Sequence, residues 1–297
     1  MGYDFSKCRL CPRKCGADRT NGEGFCGGGA EIKAAKAYPH LWEEPCISGT
    51  KGSGTVFFSG CCLKCVFCQN FKISAENSGK VITVQRLGEI FLELQDKGVH
   101  NINLVSGGHY APMIINALDD VKVRLKIPVV WNSGGYELAE TLKMLEGYVD
   151  IYLPDFKYYD NALAQRYSGA ADYREIAAEA LSEMLRQVGR YDIGSDGIMK
   201  KGVIVRHLTL PTHRHDSVRV LEFLKERFGT EDILLSLMSQ YTPFYRSCEF
   251  REISRRISTF EYNFVAEKAV EMGFNGFMQE RSSAKEEYTP EFDMCGI

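Results

Sequence analysis

The 297-residue sequence lacks several features that would each indicate a particular class of protein. It has no apolar run long enough to cross a membrane, and its first residues, MGYDFSKC, contain no apolar signal segment. Because 36 Lys and Arg face 39 Asp and Glu, the net charge is −3, and a general nucleic-acid binder, which is usually basic, is not expected. It also has no internal repeat. These absences predict a cytoplasmic protein without a membrane partner and do not favour a nucleic-acid partner.

The composition is otherwise that of an ordinary globular chain, with 44% hydrophobic and 25% charged residues. Its length suits one large α/β barrel-type domain or two small domains. The eleven cysteines are an odd number, and eight of them lie in two short segments. This distribution argues against a secreted disulfide scaffold and indicates a reducing compartment with metal-bound thiolates.

The first cysteine group is Cys61, Cys65 and Cys68, in the segment SGCCLKCVFCQN. Such spacing lets one short loop supply thiolates to three irons of a cubane cluster. The fourth iron then has no protein ligand, and an open coordination position is typical of a catalytic site. The alternative is a zinc knuckle without its fourth ligand, but the loop directly follows a predicted strand, which favours the open cluster. Cys62 is expected to be a small buried residue.

The same loop, with Phe67 before its last cysteine, resembles the cluster loop of the radical S-adenosylmethionine (SAM) superfamily. CVFCQN is similar to the activating enzymes of glycyl-radical enzymes, such as the pyruvate formate-lyase activating enzyme, and to a branch with an extra cysteine-rich segment. The similarity of motifs runs from about residue 8 to the C-terminus. It implies a [4Fe–4S] cluster that reductively cleaves SAM to a 5′-deoxyadenosyl radical, which abstracts hydrogen from a substrate. It also implies an electron donor such as flavodoxin or ferredoxin.

Short apolar runs alternate with helical patterns from residue 55 onward, which predicts βα units around a parallel sheet. We predict strands at residues 55–58, 101–105, 129–132, 150–153, 203–209 and 233–238, and helices that include residues 173–188 and 258–272. The predicted fold is α/β, an incomplete TIM-like (β/α)6 barrel. The predicted domains are a cysteine-rich lobe over residues 1–50 and the barrel over residues 51–297. Chemistry is expected at the carboxyl ends of the strands.

Polar residues follow several of these strands, and the family resemblance implies that they bind SAM. A Gly pair lets backbone approach the methionine amino group, a carboxylate suits the ribose hydroxyls, and cations suit the methionine carboxylate. In this sequence His109 and Asn132 stand where acidic residues are common in the family. The implied cofactor-binding residues are Ser106, Gly107, Gly108, Asn132, Ser133, Asp155 (ribose), Lys157 and Arg206 (carboxylate), and Gln240 (adenine).

The second cysteine group is Cys8, Cys11, Cys15 and Cys26, in a glycine-rich segment. Four thiolates with a C-x2-C pair form a closed tetrahedral site that suits zinc or iron, and so short a lobe could hardly bury a core without metal. A structural zinc or rubredoxin-like iron is the preferred interpretation. An auxiliary iron–sulfur cluster that relays electrons is the alternative. The remaining thiols are interpreted as ordinary: Cys46, Cys248 and Cys295.

Three classes of function remain open. The resemblance favours a radical enzyme that takes hydrogen from a backbone glycine of a glycyl-radical enzyme. The extra N-terminal lobe supports a radical enzyme with a different substrate, such as a small metabolite, a peptide or an RNA. A non-enzymatic iron–sulfur or zinc protein would make both the three-cysteine loop and the Asp155-Phe156-Lys157 segment accidental.

Overall fold

Ten strands form the framework of the chain in a computed structural model, which describes residues 3–279 and 290–297. They are β1 (Ile32–His40), β2 (Ser53–Phe58), β3 (Lys80–Ile82), β4 (Ile102–Val105), β5 (Val129–Ser133), β6 (Ile151–Pro154), β7 (Asp192–Ile193), β8 (Met199–Leu208), β9 (Ile233–Met238) and β10 (Gly276–Met278). The order across the sheet is β10-β9-β8-β6-β5-β4-β2-β1-β3, with β7 paired to β8.

The strands from β2 to β10 along this order are parallel, whereas β1 runs antiparallel to both β2 and β3. Within the described residues β3 and β10 do not pair with each other, so the sheet does not close into a full barrel. The prediction of an incomplete α/β barrel is therefore confirmed.

Helices connect the parallel strands and cover the outside of the sheet. The sequence explains where two of them begin: Thr83 accepts a hydrogen bond from the Arg86 N–H, and Ser258 forms a capping box with Glu261. The helices are α1 (Pro45–Ser48), α2 (Phe71–Ser74), α3 (Val84–Asp96), α4 (Ala111–Val121), α5 (Ala139–Lys143), α6 (Asn161–Ser168), α7 (Tyr173–Val188), α8 (Arg214–Phe228) and α9 (Thr259–Glu271). No helix in the described part of the chain is long and apolar enough to span a bilayer.

The six predicted strands correspond to β2, β4, β5, β6, β8 and β9, although β8 begins four residues earlier than predicted. The strands β1, β3, β7 and β10 were not predicted. β1 contains three alanines, two lysines and a proline, which are weak strand formers, and its stability comes from pairing with distant β2. Because β1 precedes residue 50, the sheet includes part of the segment assigned to the lobe, and the boundary at residue 50 stays a prediction.

Candidate active site

The loop between β2 and α2 brings three thiols to one cavity. Cys61, Cys65 and Cys68 line it together with residues at the carboxyl ends of β2, β4, β5, β6, β8 and β9. The loop turns at Gly60, whose φ is +90°, and at Lys64, whose φ is +52°. Cys65 is buried, and the Ser168 hydroxyl lies 2.9 Å from its Sγ. Three thiols from one loop that face a shared cavity fit a cluster with one open iron.

The environments of the thiols differ. The side chain of Cys62 and the Leu63 and Lys64 N–H groups donate to Cys61, and they lower its pKa to about 6 although burial acts in the opposite direction. Burial raises the pKa of Cys68 to about 12. Among residues 3–279 and 290–297, no three His, Cys, Asp or Glu side chains converge as the ligands of a single metal ion. In a cubane, each thiolate binds a different iron, so its ligands do not converge on one point.

Three charged residues line the same cavity as the cysteine loop: Asp155 and Lys157, which follow β6, and Arg206 of β8. Asp155 Oδ2 accepts from Lys157 Nζ at 2.5 Å, and Asp155 Oδ1 accepts from Arg206 Nε at 2.9 Å. No more than 16% of any of these side chains is exposed. Burial would raise the pKa of Asp155, but the Arg206 and Lys157 charges hold it below its usual value. Asp155 is therefore ionised at neutral pH.

The other polar residues at the strand ends divide into two sets. Asn132 Oδ1 accepts from Arg206 Nη2 at 2.6 Å, and Ser106, Ser133 and Gln240 also line the cavity. The backbone of Gly107 and Gly108 does not line this cavity. A Cβ added at Gly107 would lie 2.7 Å from Ile114 Cδ1, so this glycine faces α4 instead. The lack of a side chain makes room for α4 at Gly107 and for the Glu137 side chain at Gly108. The expectation that the pair approaches SAM stays a prediction.

Comparison with known proteins identifies the family of this chain. Residues 55–199 match the family model of the radical SAM superfamily. The uncharacterized protein MJ0674 of Methanocaldococcus jannaschii is 31% identical over 280 residues, which cover 90% of this chain and 74% of that protein. The chain belongs to the radical SAM superfamily. Membership implies an enzyme that uses SAM and a [4Fe–4S] cluster.

Two solved structures share the fold. A radical SAM methyltransferase from Sphaerobacter thermophilus is 12% identical, with a TM-score of 0.51, and the match covers 76% of this chain and 65% of that one. HydG, a maturase of the [FeFe]-hydrogenase, is 14% identical, with a TM-score of 0.50 and coverages of 77% and 51%. This radical SAM chain thus spans only about half to two thirds of the length of these two structures.

Other functional candidates in the radical SAM chain carry no sequence signal. Glu43 and Glu44 follow β1, a strand that was not predicted. Glu43 Oε1 accepts from Asn103 Nδ2 at 2.9 Å, and its Oε2 lies 3.5 Å from Arg206 Nη1. Burial raises the pKa of both glutamates, although the Arg206 charge acts against it. Since β1 and β8 are distant in the sequence, only the fold brings these carboxyl groups close to Arg206.

The N-terminal cysteines lie beside the cluster loop rather than apart from it. Cys62 is half-buried rather than buried as expected, and its thiol lies beside both Cys11 and Cys61 and donates to the Tyr136 carbonyl oxygen at 3.7 Å. Cys8 and Cys26 are buried, whereas Cys15 is exposed. The Cys61 N–H donates to the Cys26 carbonyl at 2.9 Å. A backbone hydrogen bond and a thiol contact therefore join the two cysteine segments.

Gly135→Ala tests how the turn after β5 positions Asp155. Gly135 has a φ of +74°, and an added Cβ would lie within 2.1 Å of the Asp155 carbonyl oxygen. We expect the free energy of unfolding to fall by at least about 2 kcal/mol and SAM binding to weaken, because the turn must move. Gly147→Ala is the control, since Gly147 has a φ of +82° with nothing within 4 Å. Equal losses in the two variants, measured by urea denaturation, would show that the close approach to Asp155 is unimportant.

Proposed function

We propose that Cys61, Cys65 and Cys68 hold the [4Fe–4S] cluster and that SAM binds in the cavity they share with Asp155, Lys157 and Arg206. The observation that carries this proposal is the presence of both sets at the carboxyl ends of the parallel strands in one cavity. The buried amide oxygen Asn70 Oδ1, which also faces this cavity, has no hydrogen-bond partner among the described residues and is suited to accept from a bound ligand.

The cluster and SAM supply the radical chemistry, and the chain binds, orients and shields them. Asp155 is placed to accept hydrogen bonds from the ribose hydroxyls. Lys157 and Arg206 are suited to the methionine carboxylate, one as a point charge and the other as a planar fork. Asn132 and Gln240 supply amide groups for the amino group and the adenine. Largely buried walls would exclude water from the radical.

The first candidate substrate is the glycine of a glycyl-radical enzyme, and it rests on the similarity of CVFCQN to the activating enzymes. Flavodoxin or ferredoxin is the proposed electron donor. A second candidate, a smaller substrate, is favoured by a cavity of about 740 Å³ that adjoins the cofactor site. That volume lies within the range of small-molecule sites. We propose cytoplasmic localisation for either activity.

Product analysis tests the proposed activity. The anaerobically reconstituted enzyme, reduced with dithionite, is expected to convert SAM to 5′-deoxyadenosine and methionine in equal amounts. Added glycyl-radical enzyme should raise the yield if the first candidate is correct, and a small-molecule extract should do so if the second is correct. Absence of 5′-deoxyadenosine under all these conditions would refute radical SAM activity in this chain.

The four N-terminal cysteines are proposed to hold zinc, a single iron or an auxiliary cluster, although in the described residues no three of them converge on one ion position. The support is Arg19, which is only 1% exposed and forms no ion pair with a carboxylate in the described residues. Its guanidinium donates to the His109 and Gly29 carbonyl oxygens and approaches Cys8 Sγ at 3.5 Å. A buried cation requires an anionic partner, and metal-bound thiolates provide one. Each of the three metal centres would carry that negative charge.

Cys26→Ser is expected to remove this metal without affecting the radical cluster. Metal analysis of the wild type should give the four irons of one cubane. In addition it should give about one equivalent of zinc, about one equivalent of iron, or the irons of a second cluster. The variant should retain the cubane and lose the rest. Cys248→Ser, which changes an exposed thiol, should retain both. Unchanged metal content in Cys26→Ser would exclude an N-terminal metal site that depends on Cys26.

A further inference from the structure

The cavity of about 740 Å³ lies between the end of β1 and β10, where the sheet is open. His40 at the end of β1 and Gly276, Phe277 and Met278 of β10 contribute to its lining. Asn132, Arg206 and Gln240 line both this cavity and the proposed SAM site. A molecule in the open side of the barrel would therefore be adjacent to the proposed SAM site, because polar and apolar side chains are shared by the two cavities.

Two consecutive glutamates supply the most unusual part of this lining. Glu43 is held by Asn103 and faces Arg206. Glu44 is 8% exposed, and its Oε2 has no hydrogen-bond partner among the described residues. A buried carboxylate oxygen without a partner is costly. Glu44 therefore presents a strong, unused acceptor to the cavity.

The charges around the cavity are unbalanced. Of the side chains that line it in the described ranges, Glu43 and Glu44 are acidic and Arg206 carries a permanent positive charge. Arg206 is already paired with Asp155 at 2.9 Å and lies farther, at 3.5 Å, from Glu43. His40 does not add positive charge, because burial lowers its pKa to about 4. The cavity thus contains two acidic groups and one guanidinium that is already paired. Burial raises the pKa of both glutamates, and a bound cation would favour their ionised forms.

We propose that this cavity binds a substrate through an alkylammonium or guanidinium group, which Glu44 and Glu43 recognise. Such a cation would give Glu44 Oε2 the donor that it lacks and would stabilise the ionised forms of both glutamates. The inference deepens the proposed function, because it rests on a radical SAM enzyme with a substrate beside the cofactor. The cation could belong to a free amine or to a Lys or Arg side chain of a peptide, since both present the same chemistry.

Binding of simple probes to the reconstituted enzyme tests this proposal. Saturating SAM is present throughout, so that its own ammonium group does not compete. The probes are n-butylammonium, butylguanidinium, the capped tripeptide acetyl-Gly-Lys-Gly-amide and neutral butan-1-ol, at constant ionic strength. The signal is tryptophan fluorescence, because Trp42 lines the cavity and the second tryptophan, Trp131, is buried. We expect the cationic probes to bind at least about tenfold more tightly than butan-1-ol.

Isosteric variants identify the residues responsible. Glu44→Gln should weaken binding of the cationic probes about tenfold and leave butan-1-ol unchanged, with Glu43→Gln as a second variant in case the first one misfolds. Glu226→Gln, on the exposed face of α8, is the matched control. A preference for the tripeptide would identify a peptide substrate, and a preference for the free amines would identify a small one; both support the proposal.

Equal binding of cationic and neutral probes, or unchanged cation binding in both glutamine variants, would overturn it. Cleavage of SAM without added substrate is measured in the same samples. If the wild-type enzyme did not cleave SAM, the proposed function would be refuted rather than the cation site. In Glu44→Gln the affinity for SAM should change less than about twofold, since Glu44 lines the adjoining cavity and not the SAM site.

Discussion

Replacing Cys65 by alanine is expected to lower the rate of SAM cleavage by more than about 10³-fold, because the cluster would lose one of its three protein ligands. The change should leave the chain folded. Cys65 is a small buried residue whose principal polar contact is the Ser168 hydroxyl, and its truncation is expected to cost only about 1 kcal/mol. Loss of activity with retained structure would therefore report the cluster and not the fold.

The measurements for Cys65→Ala are 5′-deoxyadenosine formation, iron content and circular dichroism. Cys248→Ala is the control, because Cys248 is exposed and lies outside the cavity. It should retain full activity and iron. If Cys65→Ala cleaved SAM at the wild-type rate, the assignment of the cluster to this loop would be wrong.

Arg206→Ala is expected to have the largest effect on stability. The Arg206 guanidinium contacts Asp155, Asn132 and Glu43, and no more than 16% of its side chain is exposed. Its removal would leave buried carboxylates without their main counter-charge, which typically costs about 3–5 kcal/mol. Affinity for SAM should fall as well, because one of the two cations proposed for its carboxylate would be absent.

Urea denaturation of Arg206→Ala, Asp155→Asn and the double variant measures this coupling. The double variant should be more stable than the sum of the single losses predicts, since it removes the anion together with its cation. The Arg206 and Lys157 charges hold the pKa of Asp155 low in the folded state. The ion pairs of Asp155 with these two residues therefore stabilise the folded state at neutral pH. This stabilisation should decrease as the pH falls below about 4. Additive losses in the free energy of unfolding would contradict this coupling. Arg256→Ala, which changes an exposed arginine, is the control and should change that free energy by less than about 0.5 kcal/mol.

Much of the barrel could be predicted because its parallel strands are buried on both faces and therefore read as short continuous apolar runs. Strand β9 and helix α7 have the predicted bounds. The missed strands lack this signal: among the described residues β10 pairs with β9 alone, and β3 is only three residues long. β1 is mixed in composition, and its place in the sheet depends on pairing that no local pattern reveals.

The site was predictable to the extent that it follows from strand ends. Residues after neighbouring parallel strands meet at one edge, and Asn132, Asp155 and Arg206 do form one hydrogen-bonded group. Glu43 and Glu44 could not be placed, because they follow the strand that was missed. The contact between Cys11 and Cys62 also depends on how the N-terminal segment folds back onto the cluster loop. These long-range contacts are set by tertiary structure.

The most direct test of the central claim is electron paramagnetic resonance of the anaerobically reconstituted, dithionite-reduced protein with and without SAM. A cluster that Cys61, Cys65 and Cys68 hold with one open iron should give a cubane signal that changes when SAM binds to that iron. Cys65→Ala should lack this response. A cubane signal that is the same with and without SAM would contradict an open iron in this cavity.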